Sequence, residues 1–196
     1  MRLWLATNNP HKKKEFSGIL PDFSITIPAD AGITFDPEET GATFLENALI
    51  KARALFDSVH EPVIADDSGL CVDALNGKPG IFSARYGSSS GKKLSDSERN
   101  RTLLSEVGEN PVRTARFVCA LVFLTDENRF CSVQETLEGE LLHAEQGLSG
   151  FGYDPILFIP EKGCTVAELP DEEKNRISHR GKAGRILHHI LLYTFS

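Results

Sequence analysis

Apolar and polar positions along this chain follow two periods, one typical of strands and one typical of helices. Strands are predicted where apolar runs are short or where apolar and polar residues alternate. They cover residues 3–6, 23–27, 63–65, 116–125, 130–140 and 156–159. Helices are predicted where apolar residues recur three and four positions apart. They cover residues 12–20, 41–56, 95–107 and 181–195.

The second predicted helix has the widest apolar stripe. Its members are Phe44, Leu45, Ala48, Leu49, Ala52, Leu55 and Phe56. Thr43 and Glu46 have the spacing of a capping box at its start, and the third predicted helix begins with the same spacing. Asn47 and Lys51 are four positions apart on the other face of the second helix, so we expect them to be neighbours.

The order of these elements indicates an α/β fold. Helices between the first strands are typical of βα units with parallel strands. The fourth and fifth strands are separated only by a turn-forming segment around Asp126 and Asn128, which predicts an antiparallel hairpin. We therefore expect a mixed central sheet with flanking helices.

Composition narrows the class of protein. The 196 residues suit one large domain or two small lobes, and 40% are hydrophobic. A net charge of −7 argues against nonspecific binding to nucleic acid, which needs a basic surface. The longest apolar run, residues 117–124, is too short to span a membrane, and the N-terminal apolar run is too short for a secretion signal.

The four cysteines show no C-x-x-C spacing, which argues against a zinc knuckle or a thioredoxin-like site. They are Cys71, Cys119, Cys131 and Cys164. Cys119 lies within an apolar run, as expected for a reduced core residue of a cytosolic protein. We therefore expect a cytoplasmic protein.

Asp66 and Asp67 follow the apolar run of the third predicted strand and precede Ser68 and Gly69. The end of a buried strand is a common place for functional loops in α/β proteins. Two adjacent carboxylates there repel each other unless a cation neutralises them, and Mg²⁺ prefers oxygen ligands. A solvated turn is the alternative, because Asp, Ser and Gly all favour turns.

Glu39 precedes the second predicted helix. An acid at this position stabilises the helix dipole, and this is the commoner role. Glu39 is also a candidate second carboxylate for a metal shared with Asp67, because Mg²⁺ is usually held by one or two carboxylates together with substrate phosphates.

The segment from Thr7 to Lys12 joins the first strand to the first helix. A strand–loop–helix start presents backbone N–H groups to an anion, and Lys12 adds a full charge. The segment lacks the Walker P-loop pattern. A turn with solvated lysines is the alternative.

Two further segments are candidates for recognising a planar ligand. Phe151 or Tyr153, in the glycine-rich segment 150–155, can stack on a base, and Asp154 can accept a hydrogen bond from a base N–H. Residues 174–180 are dense in donors for phosphate or base oxygens. An aromatic turn and a solvated basic turn are the respective alternatives.

Six segments resemble the signature blocks of the inosine triphosphate pyrophosphatase family, which includes HAM1-like proteins and bacterial dITP/XTP diphosphatases. They are residues 5–12, 39–48, 65–70, 82–86, 150–155 and 177–183. The blocks occur in the family's order and span nearly the whole chain. The sequence is therefore identified as a member of that family.

The resemblance implies Mg²⁺-dependent hydrolysis of non-canonical purine nucleoside triphosphates (ITP, dITP and XTP) to the monophosphate and pyrophosphate. It also implies a single two-lobed domain over residues 1–196, with an elongated central sheet and the site in a cleft. A homodimer is implied as well, with no nucleic-acid or membrane partner expected.

Carried over by position, Glu39 and Asp67 hold the metal, and Asp67 accepts the proton of the attacking water. The resemblance places substrate binding at Thr7, Asn8, Asn9, Pro10, His11, Lys12, Lys51, Ser68, Phe151, Gly152, Tyr153, Asp154, Lys174, His179 and Arg180. Within this set the triphosphate contacts are Thr7, Asn9, Lys12, Lys51 and Ser68. The members from Phe151 onward are the base contacts.

Two alternatives remain open at this stage. A Maf-like pyrophosphatase has a similar fold but acts on pyrimidine or modified nucleotides. A non-catalytic nucleotide sensor keeps the basic and aromatic residues but has no need of Glu39, Asp67 and a metal.

Overall fold

The structure is a computed structural model that describes residues 2–88 and 94–194. Its strands are β1 (Arg2–Leu5), β2 (Ser24–Thr26), β3 (Val63–Val72), β4 (Thr114–Asp126), β5 (Arg129–Leu141), β6 (Leu157–Ile159) and β7 (Cys164–Thr165). Its α-helices are α1 (Pro10–Ile19), α2 (Phe44–Val59), α3 (Asp96–Val107), α4 (Asp171–Ile177) and α5 (His179–Thr194).

The strands of the described residues form one sheet in the order β2-β1-β3-β4-β5-β6-β7. β1 is parallel to both neighbours, with Leu3 opposite Ile25 of β2 and Trp4 opposite Val63 of β3. β6 is antiparallel to β5 and to β7. The adjacent strands β4 and β5 are joined by a two-residue turn, which requires them to run antiparallel. The predicted α/β class with a mixed sheet is confirmed.

The chain divides into two compact units. The described part of the first unit comprises residues 2–67, 119–135 and 175–194, and that of the second comprises residues 68–88, 94–118 and 136–174. The single two-lobed domain and its cleft stay predictions.

The first unit has a helix layer on each face of its strands. Alternate strand residues point to opposite faces, so Leu3, Leu5 and Ile64 pack with the buried residues of α1 and α5. Trp4 and Val63, on the other face, pack with those of α2. These two apolar clusters show which face of the sheet each residue of β3 points to.

The second unit contains α3, β6 and β7 beside the remaining parts of the three longest strands. Gly139 of β5 lies where β6 approaches closely, and a Cβ atom there would be 2.5 Å from the carbonyl oxygen of Phe158. Such an approach requires glycine.

β3 is much longer than the predicted strand at 63–65. It continues through Asp66, Asp67, Ser68 and Gly69 to Val72, so the prediction of a loop at the two aspartates was wrong. The solvated-turn alternative is wrong too, because Asp66 is 1% exposed and Asp67 is 7% exposed. Polar residues inside a strand interrupt the apolar pattern on which the prediction depended.

α2 confirms its predicted cap. The Glu46 N–H donates to Thr43 Oγ1 at 3.1 Å, and the Thr43 N–H donates to Glu46 Oε2 at 3.0 Å. The predicted faces need correction, because Leu45 is 38% exposed whereas Asn47 and Lys51 are buried. Asn47 and Lys51 are buried because both make polar contacts in the candidate site.

The last helix begins two residues before its predicted start, at His179. The predicted end at Phe195 lies outside the described residues. Its buried residues include Ala183, Leu187 and Leu191, whereas Ile186 is exposed. The prediction missed α4, which is rich in charged residues and lacks an apolar stripe.

Among the described residues, none of the helices has the length and apolar character needed to cross a lipid bilayer. The predicted core position of Cys119 is confirmed, because this side chain is fully buried. The other three cysteines are half-buried.

Candidate active site

Asp66 and Asp67 are successive residues of β3, and a strand turns successive side chains to opposite faces. Asp66 therefore points to the side of α1 and α5, whereas Asp67 points to the side of α2. The hydrogen bonds of the two carboxylates follow this division. One dipeptide thus supplies a carboxylate to each helix layer of the first unit.

Asp66 is the centre of a buried ion-pair network. Lys12 Nζ of α1 lies 3.2 Å from Asp66 Oδ1, and Arg180 Nε of α5 donates to Asp66 Oδ2 at 2.5 Å. Arg180 Nη1 also donates to Glu15 Oε2 at 2.5 Å. Burial raises the pKa of Asp66, but the Arg180 and Lys12 cations outweigh it and lower that pKa well below its ordinary value. Asp66 is therefore a permanent anion that orders Lys12.

The environment of Lys12 differs from that of an exposed lysine. Burial lowers the pKa of its ammonium, and the nearby cations Lys51 and Arg180 lower it further, whereas Asp66 raises it. A buried cation beside other cations gains most from an added anion. Lys12 is thus suited to a polyanionic ligand.

Asp67 and Glu39 share a single ammonium group. Lys51 Nζ lies 2.6 Å from Asp67 Oδ1 and 3.0 Å from Glu39 Oε1. Burial lowers the pKa of Lys51, but the carboxylates of Asp67 and Glu39 outweigh it and raise that pKa. The two predicted metal ligands, from segments distant in sequence, therefore meet around one atom.

The second oxygen of Asp67 has a different environment. Asp67 Oδ2 is buried and has no hydrogen-bond partner among the described residues. Burial raises the pKa of Asp67, and the charge of Glu39 raises it further against the lowering effect of Lys51. A buried carboxylate oxygen without a partner, beside a second carboxylate, matches the oxygen ligands that Mg²⁺ takes. Glu39 and Asp67 are therefore the candidate ligands of the implied metal, which stays a prediction.

Asn47 holds the segment that carries Glu39. Its Oδ1 accepts a hydrogen bond from the Gly41 N–H at 2.8 Å. A Cβ atom on Gly41 would be 2.7 Å from that same oxygen, so this close contact requires glycine. Sequence reasoning gave Asn47 no role, although its position one turn before Lys51 is a signal.

The first loop is ordered by its own polar side chains. The Asn9 N–H donates to Thr7 Oγ1 at 3.1 Å, and the His11 N–H donates to Asn9 Oδ1 at 2.9 Å. Asn8 Nδ2 donates to the carbonyl of Phe35. Asn9 caps α1, and Pro10 occupies the first turn, where its missing N–H costs nothing. The predicted strand–loop–helix start is therefore present.

In the second unit, Asp154 and Lys174 form a buried pair beside an aromatic ring. Lys174 Nζ lies 2.7 Å from Asp154 Oδ2 and 4.8 Å from the centre of the Phe151 ring. The Phe151 N–H donates to the same Asp154 oxygen at 2.9 Å. Tyr153 is buried, and its hydroxyl donates to the Ser83 carbonyl at 2.9 Å. Of the two aromatic residues in this loop, Tyr153 is buried and Phe151 is half-buried.

The predicted basic turn at 174–180 is a helix end followed by a new helix. Lys174 lies in α4 and in the second unit, whereas His179 and Arg180 begin α5 and belong to the first. Ser178 accepts a hydrogen bond at its Oγ from the Gly181 N–H at 3.0 Å. Ser68 lies in the second unit and is half-buried. The roles of His179, Arg180 and Ser68 toward a base or phosphate stay predictions.

The structure thus groups the predicted site residues in two sets, each within one unit. In the first unit, ion pairs form one group on each face of β3: Asp66 joins Lys12 and Arg180 on one face, and Lys51 joins Glu39 and Asp67 on the other. The second unit joins Phe151, Asp154 and Lys174. The alternation of side chains along β3 is the signal that could have identified the separate role of Asp66.

Comparison with known proteins decides the family. The Ham1 family matches residues 3–190 of this sequence. This chain belongs to the Ham1 family. A dITP/XTP pyrophosphatase of Treponema denticola is 56% identical over 183 residues, which are 93% of this chain and 94% of that protein. A dITP/XTP pyrophosphatase of Mannheimia succiniciproducens is 46% identical over 192 residues, which are 95% of this chain and 96% of that protein.

Solved structures of Ham1 proteins have the same fold as this chain. The Ham1 protein of Staphylococcus aureus superposes with a TM-score of 0.87 at 39% identity, over 99% of this chain and 100% of that one. A HAM1 protein of Coxiella burnetii superposes with a TM-score of 0.88 at 38% identity, over 98% and 99% of the two chains. The predicted family resemblance is confirmed.

Proposed function

We propose that this Ham1 protein hydrolyses the non-canonical purine nucleoside triphosphates dITP, ITP and XTP to the nucleoside monophosphate and pyrophosphate. Two relatives that match nearly its whole length carry the name dITP/XTP pyrophosphatase. The observation that carries the proposal is the meeting of Glu39 and Asp67 around Lys51 Nζ. Such a cluster provides both the anionic ligands for a metal and a cation for phosphates.

Mg²⁺ is the cofactor of this proposal, with Glu39 and Asp67 as its protein ligands. The buried, unpartnered Asp67 Oδ2 supports this assignment within the described residues. When bound, Mg²⁺ supplies charge neutralisation of the triphosphate and a lower pKa of coordinated water.

Asp67 is the proton acceptor for the attacking water. The water oxygen forms a bond to the α-phosphorus, the bond from that phosphorus to the bridging oxygen breaks, and the water proton passes to the Asp67 carboxylate. Burial and the Glu39 charge raise the pKa of Asp67, which favours uptake of this proton.

The leaving pyrophosphate needs cations, and Lys12 and Lys51 provide them. Both ammonium groups are held by carboxylates, Lys12 by Asp66 and Lys51 by Asp67 and Glu39. Phosphoryl transfer depends mostly on positioning and electrostatics, so fixed cations contribute more than mobile ones. The backbone N–H groups at the start of α1 add further donors.

The Asp154–Lys174 pair gives a physical reason for the rejection of adenine. Hypoxanthine and xanthine have an N1–H donor beside a 6-oxo acceptor, which match the Asp154 carboxylate and the Lys174 ammonium. Adenine has the opposite arrangement, an N1 acceptor beside an amino donor, so it matches neither the carboxylate nor the ammonium. Guanine shares the N1–H and the 6-oxo group, so this pair does not separate it from hypoxanthine.

A substrate panel tests the proposal. Turnover of ITP, dITP, XTP, GTP, ATP and a pyrimidine triphosphate is measured with and without Mg²⁺, and the inorganic product is identified. We expect pyrophosphate release from ITP, dITP and XTP only with Mg²⁺, at rates at least about tenfold above those with ATP. Release of orthophosphate, or preference for the pyrimidine substrate, would contradict the proposal.

The cytoplasmic location and the homodimer also belong to this proposal. They follow from the reduced cysteines of the sequence and from the family resemblance. Light scattering coupled to gel filtration measures the mass in solution, and a monomer mass at micromolar concentration would remove the dimer from the proposal.

A further inference from the structure

Helix α3 holds Gly152 through both polar groups of its backbone. The Gly152 N–H donates to Asp96 Oδ2 at 2.6 Å, and the Gly152 carbonyl accepts a hydrogen bond from Asn100 Nδ2 at 3.1 Å. Asp96 and Asn100 are four positions apart on α3, so they lie side by side on one face of the helix. Gly152 also has a φ of 63°, which favours glycine.

Asn100 reaches a second part of the same segment. Its Nδ2 donates to Glu145 Oε1 at 2.7 Å, while Ser97 Oγ donates to Glu145 Oε2 at 2.9 Å. Asn100 is 1% exposed. One buried carboxamide therefore ties both ends of residues 145–152 to α3, and its loss would remove both of these hydrogen bonds.

The position of Gly152 decides how its neighbours are presented. Phe151 precedes it and donates its N–H to Asp154, whereas Tyr153 follows it and is anchored on Ser83. A change of the backbone at Gly152 therefore rotates the peptides on both sides. The Phe151 ring and the Asp154 carboxylate move with them.

We propose that Asp96 and Asn100 are positioning residues for base recognition. They hold Gly152 so that the Phe151 ring and the Asp154–Lys174 pair keep the geometry that a 6-oxopurine requires. This inference rests on the proposed function, because it takes the loop at Gly152 as the base site. Asp96 and Asn100 act through this loop.

The test measures separately how tightly the protein binds the base and the phosphates of the ligand. Calorimetry measures the binding of IMP, which carries the base, and of inorganic tripolyphosphate, which has none. For Asn100→Ala we expect the Kd of IMP and the KM of ITP to rise about tenfold, with the Kd of tripolyphosphate and kcat changed less than about twofold.

Asp96→Ala is the second variant, because Asp96 is exposed. Asp96 also pairs with the buried Arg99, so the Tm of this variant is measured alongside its binding. The substitution removes the acceptor of the Gly152 N–H, and we expect the Kd of IMP to rise about fivefold with the binding of tripolyphosphate unchanged.

Ser95→Ala is the matched control. Ser95 caps α3 by accepting from the Glu98 N–H at 3.3 Å. Its loss lowers Tm but leaves the ratio of the two dissociation constants at the wild-type value.

Two results would overturn this inference. One is IMP binding by Asn100→Ala and Asp96→Ala that equals wild type. The other is an equal loss of IMP and tripolyphosphate binding, which would show a general loss of structure. If wild-type protein releases no pyrophosphate from ITP, the proposed function fails. An IMP-specific loss in both variants would still support the positioning role, because calorimetry needs no turnover.

Discussion

At the scale of residues, Asp66 and Asp67 show how neighbours of the same type acquire different chemistry. Asp66 is paired with Lys12 and Arg180, and these cations hold the pKa of Asp66 low. Asp67 faces Glu39, and burial raises the pKa of Asp67. Environments that separate the pKa values of two carboxylates are typical of sites in which they have different roles. Here Asp66 orders cations, and Asp67 is the proposed base.

Asp67→Asn tests that assignment. An amide cannot accept the proton of the attacking water, so we expect kcat for ITP hydrolysis to fall about a thousandfold, while nucleotide binding stays within about fivefold of wild type. Steady-state kinetics and calorimetry with ITP measure the two quantities. Asp57→Asn, at an exposed acid on the same helix as Lys51, is the control and should keep full activity. A kcat for Asp67→Asn close to that of wild type would refute the base role.

At the scale of elements, the junction of α4 and α5 depends on a close backbone contact. A Cβ atom at Gly181 of α5 would be 1.8 Å from the carbonyl oxygen of Asn175 in α4. Backbone atoms cannot move aside as a side chain can. The contact explains how two helices can follow each other with a single residue, Ser178, between them.

Gly181→Ala should therefore destabilise the protein by about 2 kcal/mol or more, because the added methyl group forces the two helices apart. Gly184→Ala is the matched control on the same helix, since its Cβ atom would meet a side-chain methyl group of Ile19 at 2.5 Å. It should cost less, because the Ile19 side chain can shift whereas the Asn175 backbone cannot, and the gain of about 1 kcal/mol in helix propensity is the same for both variants. Urea unfolding of both variants measures the difference, and equal stabilities would show that the Asn175 contact is not limiting.

At the scale of the whole molecule, the buried ion pairs of Asp66 link α1, β3 and α5. The pKa of Asp66 is lowered in the folded protein, so its contribution to stability is present above the unfolded-state value of about 4 and is lost as the pH falls. Acid should therefore unfold the protein in part through this residue. Buried ion pairs add little net stability. Removing one partner is costly, however, because the remaining charge is then buried without compensation.

Asp66→Asn should lower the free energy of unfolding at pH 7 by about 3 kcal/mol, because it leaves Lys12 and Arg180 without their shared carboxylate. Between pH 5 and pH 3, the unfolding free energy of the variant should fall less steeply than that of wild type, since one depressed pKa is absent. Urea titrations at pH 7 and at several pH values in that acidic range measure the unfolding free energy of both proteins. Parallel pH profiles for the two proteins would show that Asp66 does not contribute to acid unfolding.

The local pattern of the sequence was sufficient to predict several features of this protein. The caps at Thr43 and Ser95, the mixed α/β class and the resemblance to a family could all be predicted, because they depend on residue types within a few positions or on motifs in order. The contacts of Asp66 with Arg180, of Lys51 with Glu39 and Asp67, and of Asn100 with Gly152 depended on the folded chain. They join segments far apart in sequence, and polar side chains that are buried for function break the apolar periodicity from which their burial could be predicted.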